Sequence, residues 1–432
     1  MIKKKPFTFQ VSSQGGWQNI ALLTLVVFYI AQYSMDLFVW KVMCVHVAQD
    51  YCGYWSAAKI ANETGYAESF DGDRLAEIQR TILPANTPLF VHGSPYLPIF
   101  LLPFQLLVFL GPNAGYWVWT ILSLLLVIFY LRYFAKSTTK QALDTRLLFM
   151  VLLSAPFFLN IFLGQVNLWL TVCIGEHLRA TTSGKQFAAG VWLAGLLLKP
   201  QYLVIIGLIL LIHRYGKMLA GLIVSSVTIL GITFVMTGVD GFQAMMRTWL
   251  GLGTSNQDSV AGVMMNWRMV GVDLANHLGL GIAWGIAGLG AIATIALTLY
   301  IWKRPIKSDT NSYVIALIGA LAATTALAWH SNPASAVILI APLIYLSQKP
   351  AILPGRFLSI WVFTPPAVYF IVFVLAIFYQ TGRLPANWGD LLDFMNAAVQ
   401  LVVNMVLLVW AAIQFRGKQT SMVTVQQDPG IS

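Results

Sequence analysis

The stretch WQNIALLTLVVFYIAQYSMDLFVW, Trp17–Trp40, decides the fold class, because it is long and apolar enough to cross a bilayer as a helix. The 432 residues are 58% hydrophobic and 10% charged, with a mean hydropathy of +0.73, which excludes an ordinary water-soluble core. Lys199-Pro200 divides one of the later apolar runs, since proline removes a helix hydrogen bond. The pattern predicts an all-α integral membrane protein with about twelve crossings. The further runs are Ala114–Phe134, Arg146–Leu163, Val166–Leu178, Phe187–Ile212, Met218–Thr237, Ile282–Trp302, Tyr313–Trp329, Ala334–Ser347, Phe357–Tyr379 and Leu392–Gln414.

The basic residues act as topology signals. The net charge is +10, but Lys and Arg are scattered between apolar runs without a continuous basic face, so a nucleic-acid partner is not expected. We expect the proline-rich run Pro95–Leu110 to be re-entrant or interfacial, because most Lys and Arg then fall on one side of the membrane. Both termini are then cytoplasmic. Lys41–Pro95, Asp240–Gly281, the turn at His330 and Gln380–Asp390 face outward.

The chain is expected to form one membrane domain, residues 1–414, in the plasma or inner membrane. Its first apolar run has no clear cleavage site after it and is interpreted as a signal anchor. Residues 41–95 form a first outer loop, and residues 240–281 form a second. Residues 415–432 form a short, polar cytoplasmic tail that is expected to be disordered.

Two amphipathic helices are predicted in the first outer loop. The first runs from about Tyr51 to Thr64 and stops at Gly65. The second runs from about Asp73 to Leu83, with Asp71 or Asp73 as its cap and Pro84 at its end. Both are expected to lie flat on the outer leaflet.

Asp50 stands immediately before the first of these helices. It can be an N-cap, because Asp is among the preferred N-cap residues, or a positioned general base, and the two roles can coexist. Cys44 and Cys52 lie eight positions apart in the same loop and are either a disulfide or a pair of free thiols. Asp71-Gly72-Asp73 lacks the later ligands of a calcium loop, so no metal site is predicted.

Several other polar residues in or beside the apolar runs can have either a functional or a purely structural role. Lys199, at the helix break, is a phosphate-binding cation or a snorkelling lysine. His330 contacts a substrate or caps a helix C-terminus. Gln165 and Asn167 are site residues or simple turn residues. Arg268 can reach a phosphate or pair with Asp273, whereas Glu176-His177 is interpreted as an interfacial polar pair.

A series of short motifs follows along the chain: Asp50-Tyr51, Tyr54, Ala57-Ala58, Gly65, Phe70-Asp71, Pro95-Tyr96-Leu97-Pro98, Pro103, Gly164-Gln165-Val166-Asn167, Gly190, Gly195, Leu198-Lys199-Pro200-Gln201 and Trp329-His330. In this order and spacing, over most of Lys41–Leu346, they resemble glycosyltransferase family 87. Two features depart from the family pattern: Pro95-Tyr96-Leu97-Pro98 stands where relatives more often have Tyr-Pro-Pro, and His330 stands alone where relatives often carry two polar or histidine residues after the Trp.

The resemblance implies a GT-C-type, inverting enzyme that moves a hexose, mannose in many relatives, from a polyprenyl-phosphate donor to a lipid or glycan acceptor at the outer face. It needs no cofactor, and its partners are these substrates and membrane lipids. A phosphate leaving group needs no acid, so one base suffices. The implied catalytic residues are Asp50 and His330. The implied substrate-binding residues are Tyr51, Tyr54, Lys59, Gln165, Asn167, Lys199, Gln201 and Arg268.

A secondary transporter or a flippase for lipid-linked glycans is the alternative. The broken helix at Lys199-Pro200 and the polar pair Glu176-His177 within a span are features of such proteins. The large first outer loop and the lack of a convincing internal repeat favour the enzyme.

Overall fold

The structure is a computed structural model that describes residues 16–39, 43–45, 47–83, 94, 96–254, 264–308, 310–349, 352–353, 355–385 and 388–425. Within these ranges the chain is helical, apart from turns and an isolated bridge between Met43 and Val47. The α-helices are Gly16–Ser34 (α1), Gln49–Glu63 (α2), Gly72–Arg80 (α3), Pro98–Leu107 (α4), Gly111–Thr139 (α5), Thr145–Leu152 (α6), Ala155–Leu163 (α7), Leu168–Thr182 (α8), Gln186–Leu193 (α9), Leu203–Ile212 (α10), Gly216–Thr254 (α11), Trp267–Leu278 (α12), Leu280–Ile301 (α13), Asn311–Leu327 (α14), Ile340–Ser347 (α15), Gly355–Gln380 (α16) and Trp388–Val425 (α17).

Six segments of the described chain are long and apolar enough to cross a membrane, and the α6–α7 pair, bent by 56°, makes a seventh if it is one span. The predicted number of crossings is therefore not confirmed, because several predicted runs fold into shorter helices. The six are Gln18–Phe38, Pro98–Thr139, Gly216–Gly251, Leu280–Ile301, Phe357–Tyr379 and Leu391–Arg416. Their outward faces remain apolar and exposed, as at Val235 and Leu289, which suits contact with lipid. These apolar helices make the chain an integral membrane protein.

Helix α14 lies inside the protein. Its residues from Tyr313 to Ala326 are all buried, so this helix is apolar around its full circumference and covered by protein. It packs against α13, α15 and α17. The loop after α14 therefore starts from a fixed support, and this loop includes His330.

The predicted break at Lys199 is confirmed. The chain leaves α9 through a 3-10 segment, Ala194–Leu198, takes a non-helical conformation at Lys199, and enters a 3-10 turn, Pro200–Tyr202, before α10. Proline fits the first position of that turn, where no N–H is required. The interruption places a lysine side chain and a glutamine side chain within an otherwise apolar region.

The first-loop helices are confirmed with shifted ends, as α2 and α3. Asp71 caps α3, accepting from the N–H groups of Asp73 and Arg74 at 2.8 and 3.2 Å, while Pro84 lies outside the described residues. Protein, and not lipid as predicted, covers the apolar faces of these helices. Most of α2 is buried and packs against α4, and α3 packs its apolar face against α2. An apolar stripe looks the same in sequence whether lipid or protein covers it.

Two further boundaries differ from the sequence predictions. The predicted second outer loop, residues 240–281, is largely helical in its described part, since α11 continues past a kink at Gly238 to Thr254 and α12 follows. The predicted disordered tail begins inside α17, which reaches Val425. In the run Pro95–Leu110, α4 starts at Pro98 and contains Pro103, and Pro95 lies outside the described residues.

Candidate active site

The beginning of α2 is fixed by a tight turn. The N–H of Cys44 donates to the Val47 carbonyl at 2.7 Å, and the N–H of Ala48 donates to the Phe162 carbonyl at the end of α7 at 2.8 Å. A disulfide joins Cys44 to Cys52, so these two residues are not a pair of free thiols. The N-cap of α2 is Ala48, not Asp50 as one reading of the sequence proposed, and it makes no side-chain cap bond. Asp50 lies in the first turn of α2, where a carboxylate also interacts favourably with the helix dipole.

The Asp50 carboxylate is held by Gln165. Its Oδ2 accepts from Gln165 Nε2 at 2.6 Å, and the hydroxyl of Tyr54, one turn along α2, donates to Gln165 Oε1 at 2.9 Å. The hydroxyls of Tyr54 and Tyr96 are hydrogen-bonded at 3.1 Å. The chain of contacts fixes the Gln165 amide with its nitrogen toward the carboxylate. Asp50 is therefore positioned by side chains and not by helix capping.

The surroundings of Asp50 make it a weaker acid than usual. Burial raises the pKa of the carboxyl to about 6, and the charge of Lys199 and the hydrogen bond from Gln165 oppose that rise. A base whose pKa is close to the working pH combines a large ionised fraction with useful proton affinity. The carboxylate can therefore accept a proton near neutral pH.

Lys199 is buried, with 4% of its surface exposed, and is not a snorkelling lysine in this structure. Its Nζ donates to the Ser335 hydroxyl at 3.1 Å, and that hydroxyl donates to Asn332 Oδ1 at 2.9 Å. The charge of Lys199 acts on both Asp50 and His330, so it lies near both predicted catalytic residues.

The loop that contains His330 is held from two sides. Gln201 Nε2 donates to the His330 carbonyl at 2.9 Å, and the hydroxyls of Tyr202 and Ser331 are hydrogen-bonded at 2.9 Å. From the other side the Met265 N–H donates to the Ser331 carbonyl at 2.7 Å. The Lys-Pro-Gln-Tyr segment thus sets the register of the loop.

The imidazole of His330 is neutral at physiological pH. Burial lowers its pKa to about 4, helped by the positive charges of Lys199 and Arg268. Arg268, in the first turn of α12, is half-buried and close enough to act on His330 electrostatically. Lys199 and Arg268 therefore both lie near a neutral His330, and Lys199 also lies near Asp50.

Asn167 adds unused hydrogen-bonding capacity. It is fully buried beside Gln165, in the turn between α7 and α8, and both atoms of its amide lack a hydrogen-bond partner. The turn itself depends on Gly164, whose φ of +69° is left-handed and whose α-carbon lies close to the Tyr51 side chain. Buried polar atoms without partners are rare in folded proteins, which makes Asn167 available to a ligand.

Two predicted substrate-binding residues lie away from this cluster. Tyr51 is buried against Phe104 and Tyr116, and its hydroxyl makes no hydrogen bond. Lys59 pairs with Glu63 at 3.2 Å, more than two turns along α2 from Asp50. The structure thus brings together Asp50, Tyr54, Gln165, Lys199, Gln201, Arg268 and His330, and Asn167 lies two positions after Gln165 in the same turn.

Sequence reasoning did not assign roles to Tyr96, Tyr202, Ser331 and Ser335. Tyr96 and Tyr202 lie in or next to quoted motifs, so their positions carried a signal. Ser335 had none, because its partner Lys199 is 136 positions away. Among the described residues there is no group of three or more His, Cys, Asp or Glu side chains that could hold a metal ion.

Comparison with known proteins identifies the family. The model of glycosyltransferase family 87 matches residues 95–328, more than half of the chain, a stretch that includes Gln165, Lys199 and Arg268 but not Asp50. No curated protein and no solved structure matches. The motifs and the polar cluster within a membrane-helix framework agree with that match. The chain belongs to glycosyltransferase family 87.

Proposed function

We propose that this glycosyltransferase moves a hexose, mannose by its family resemblance, from a polyprenyl-phosphate carrier to a hydroxyl of a lipid-linked or glycan acceptor on the outer face of the plasma or inner membrane. The observation that supports this most directly is a single carboxylate, Asp50, held by Gln165 beside the buried cation Lys199. One base next to one cation suits transfer from a phosphate, in which only the acceptor hydroxyl must lose a proton.

The proposed reaction is a single displacement. The acceptor oxygen attacks the anomeric carbon of the sugar, and Asp50 takes the hydroxyl proton. The bond from that carbon to the phosphate oxygen breaks, and the polyprenyl phosphate leaves with the electron pair. Attack opposite to the leaving group inverts the anomeric configuration.

The cations of the cluster suit the leaving phosphate. Lys199 is already near Asp50, and Arg268 and Lys199 both act on His330, so a phosphate placed among them would be neutralised from two sides. Charge-assisted contacts of this kind are among the stronger hydrogen bonds in proteins. His330, neutral in these surroundings, can hydrogen-bond a substrate hydroxyl.

An apolar groove of about 570 Å³ beside α1, α5 and α7 supports a lipid-linked substrate. Tyr33 lines this groove, and its hydroxyl is hydrogen-bonded at 3.0 Å to that of Tyr116, which donates to the Ile161 carbonyl. The Phe162 carbonyl, next along the chain, accepts from the N–H of Ala48, immediately before α2. These contacts connect the groove to the start of the helix that contains Asp50. Residues lining the groove include Tyr29, Tyr33, Trp117, Leu124, Phe157 and Phe158.

The Cys44–Cys52 disulfide supports an outward-facing site. Disulfides form and persist outside the reducing cytoplasm, and the bond encloses Asp50. The predicted excess of Lys and Arg in the loops on the other side of the membrane supports the same outward orientation of the Asp50 loop.

Purified full-length protein incubated with radiolabelled polyprenyl-phosphate sugars and a membrane lipid extract tests the proposal. We expect a labelled glycolipid from one of these donors, the mannosyl donor first, and none from nucleotide sugars. Transfer from a nucleotide sugar, or movement of the donor across vesicles without any product, would refute it.

A further inference from the structure

The Cys44–Cys52 bond closes a small ring of chain around the first turn of α2. The ring contains Asp50, whose carboxylate contacts Gln165, and both cysteines are themselves buried. The disulfide is therefore buried and local, and does not join distant segments of the chain. It constrains residues 44–52, which position the Asp50 carboxylate.

The backbone of this turn has an unusual conformation. Cys44 and Ala48 have φ angles of +63° and +59°, a left-handed conformation that non-glycine residues seldom adopt, and the N-cap has no side-chain hydrogen bond. Backbone of this kind persists only where the surrounding structure enforces it. The disulfide contributes to that enforcement, together with two backbone hydrogen bonds, to Val47 and Phe162, and the burial of Val47 and Ala48.

We infer that the Cys44–Cys52 disulfide is a positioning element for the transfer reaction, which holds the first turn of α2 so that the Asp50 carboxylate stays against Gln165. The inference rests on the proposed role of Asp50 as the base. The two cysteines are positioning residues that do not touch the substrate. Their oxidation transfers two electrons and two protons to an external disulfide, which becomes two thiols.

The donor contacts should not depend on this bond. Lys199 belongs to the break between α9 and α10, and Arg268 belongs to α12, neither of which lies in the ring. Loss of the disulfide should therefore reduce turnover without weakening donor use. It should also open the turn to water and reduce the burial that raises the pKa of Asp50.

The test compares the double variant C44S/C52S with wild type and with Cys173→Ser, which removes the buried free cysteine of α8. Full-length proteins are assayed with mannosyl-phosphoryl-polyprenol and membrane lipid extract. We expect kcat to fall about 10- to 100-fold in the double variant, the donor KM to stay unchanged, and the acidic limb of the pH profile to move to lower pH. Cys173→Ser should have the wild-type kcat, donor KM and pH profile.

Reversible reduction gives the answer if the double variant does not fold. Folded wild type is reduced with a phosphine, alkylated and weighed by mass spectrometry, and a parallel sample is reoxidised; kcat should fall with reduction and return with the bond. Free thiols in fully active wild type, or unchanged kcat and pH profile after loss of the bond, would overturn the inference alone. Wild-type turnover by Asp50→Asn would instead overturn the proposed base, and the inference with it.

Discussion

Two buried polar regions of this membrane protein differ in how completely they are paired. On α8, Glu176 accepts from Arg179 Nε at 2.7 Å, and both ring nitrogens of His177 are bonded, to the Ala189 carbonyl at 3.0 Å and to the Tyr313 hydroxyl at 2.9 Å. In the cluster around Asp50, the Asn167 amide has no partner at either atom. The first region is closed, and the second retains capacity for a ligand.

The difference separates a structural polar pair from a working site. Burying a polar group is costly unless it is hydrogen-bonded, and Glu176-His177 meets that condition entirely within the protein. Its pairing explains why a polar pair within an apolar run does not require a transport role. Beside Gln165, the buried amide of Asn167 has no such hydrogen bond, and a substrate hydroxyl or phosphate could supply one.

The largest effect should follow Asp50→Asn. The amide keeps the volume and can still accept from Gln165, so folding should be unchanged, while the group that accepts the proton is gone. General-base catalysis supplies about 10²–10⁴ in rate, so radiolabel transfer should fall by that order with donor binding retained. Glu176→Gln is the matched control and should transfer at the wild-type rate. Near wild-type transfer by Asp50→Asn would make His330 the leading candidate for the base.

Lys199→Gln should mainly impair use of the donor. One charge-assisted contact contributes about 1.5–3 kcal/mol, so the apparent KM for the polyprenyl-phosphate sugar should rise about ten- to hundredfold. Lys185→Gln, at the exposed start of α9, removes a charge from the same segment and should leave KM unchanged. Steady-state kinetics over a donor series measure both. Equal KM values in the two variants would place the phosphate elsewhere.

The pH dependence should show Asp50 directly. Because its folded-state pKa is about 6, kcat/KM should fall about tenfold per pH unit below that value. Lys199 lowers this pKa, so in Lys199→Gln the acidic limb should move to higher pH. The raised pKa also means that the contribution of Asp50 to stability is fully present below the ordinary carboxyl value of 3.8 and is lost as the pH rises through 6. An acidic limb at the same pH in Lys199→Gln and in wild type would show that Lys199 does not act on the pKa of Asp50.

Local signals predicted local features well. Gly65 predicted the end of α2, Asp71 predicted the start of α3, and Pro200 predicted the break between α9 and α10. Each of these residues acts on its immediate backbone neighbours. The same reasoning singled out Asp50 as a carboxylate at the start of a first-loop helix and Lys199 as a lysine at a break in an apolar run. Their proximity in the structure agrees with the prediction that they act together.

Features set by distant contacts could not be predicted. The start of α2 depends on the Phe162 carbonyl and on a turn with positive φ at Ala48, so Asp50 was placed at the cap. The burial of α2 depends on α4, which no periodicity in α2 reveals. The enclosure of α14 by protein was equally hidden, since an apolar run has the same pattern whether lipid or protein surrounds it.

The smallest effects should separate the two regions by stability. Asn167→Leu removes an amide that makes no protein hydrogen bond, so the melting temperature should be unchanged or higher, while transfer should fall about two- to tenfold, the value of one lost substrate hydrogen bond. His177→Leu should do the reverse: the Tyr313 hydroxyl loses its partner, which costs about 1–3 kcal/mol of stability, and the donor KM should not change. Thermal unfolding and steady-state kinetics on the two purified variants make the comparison. A destabilised Asn167→Leu with normal transfer would show that its amide serves the fold, and the contrast between a closed pair and an open site would no longer hold.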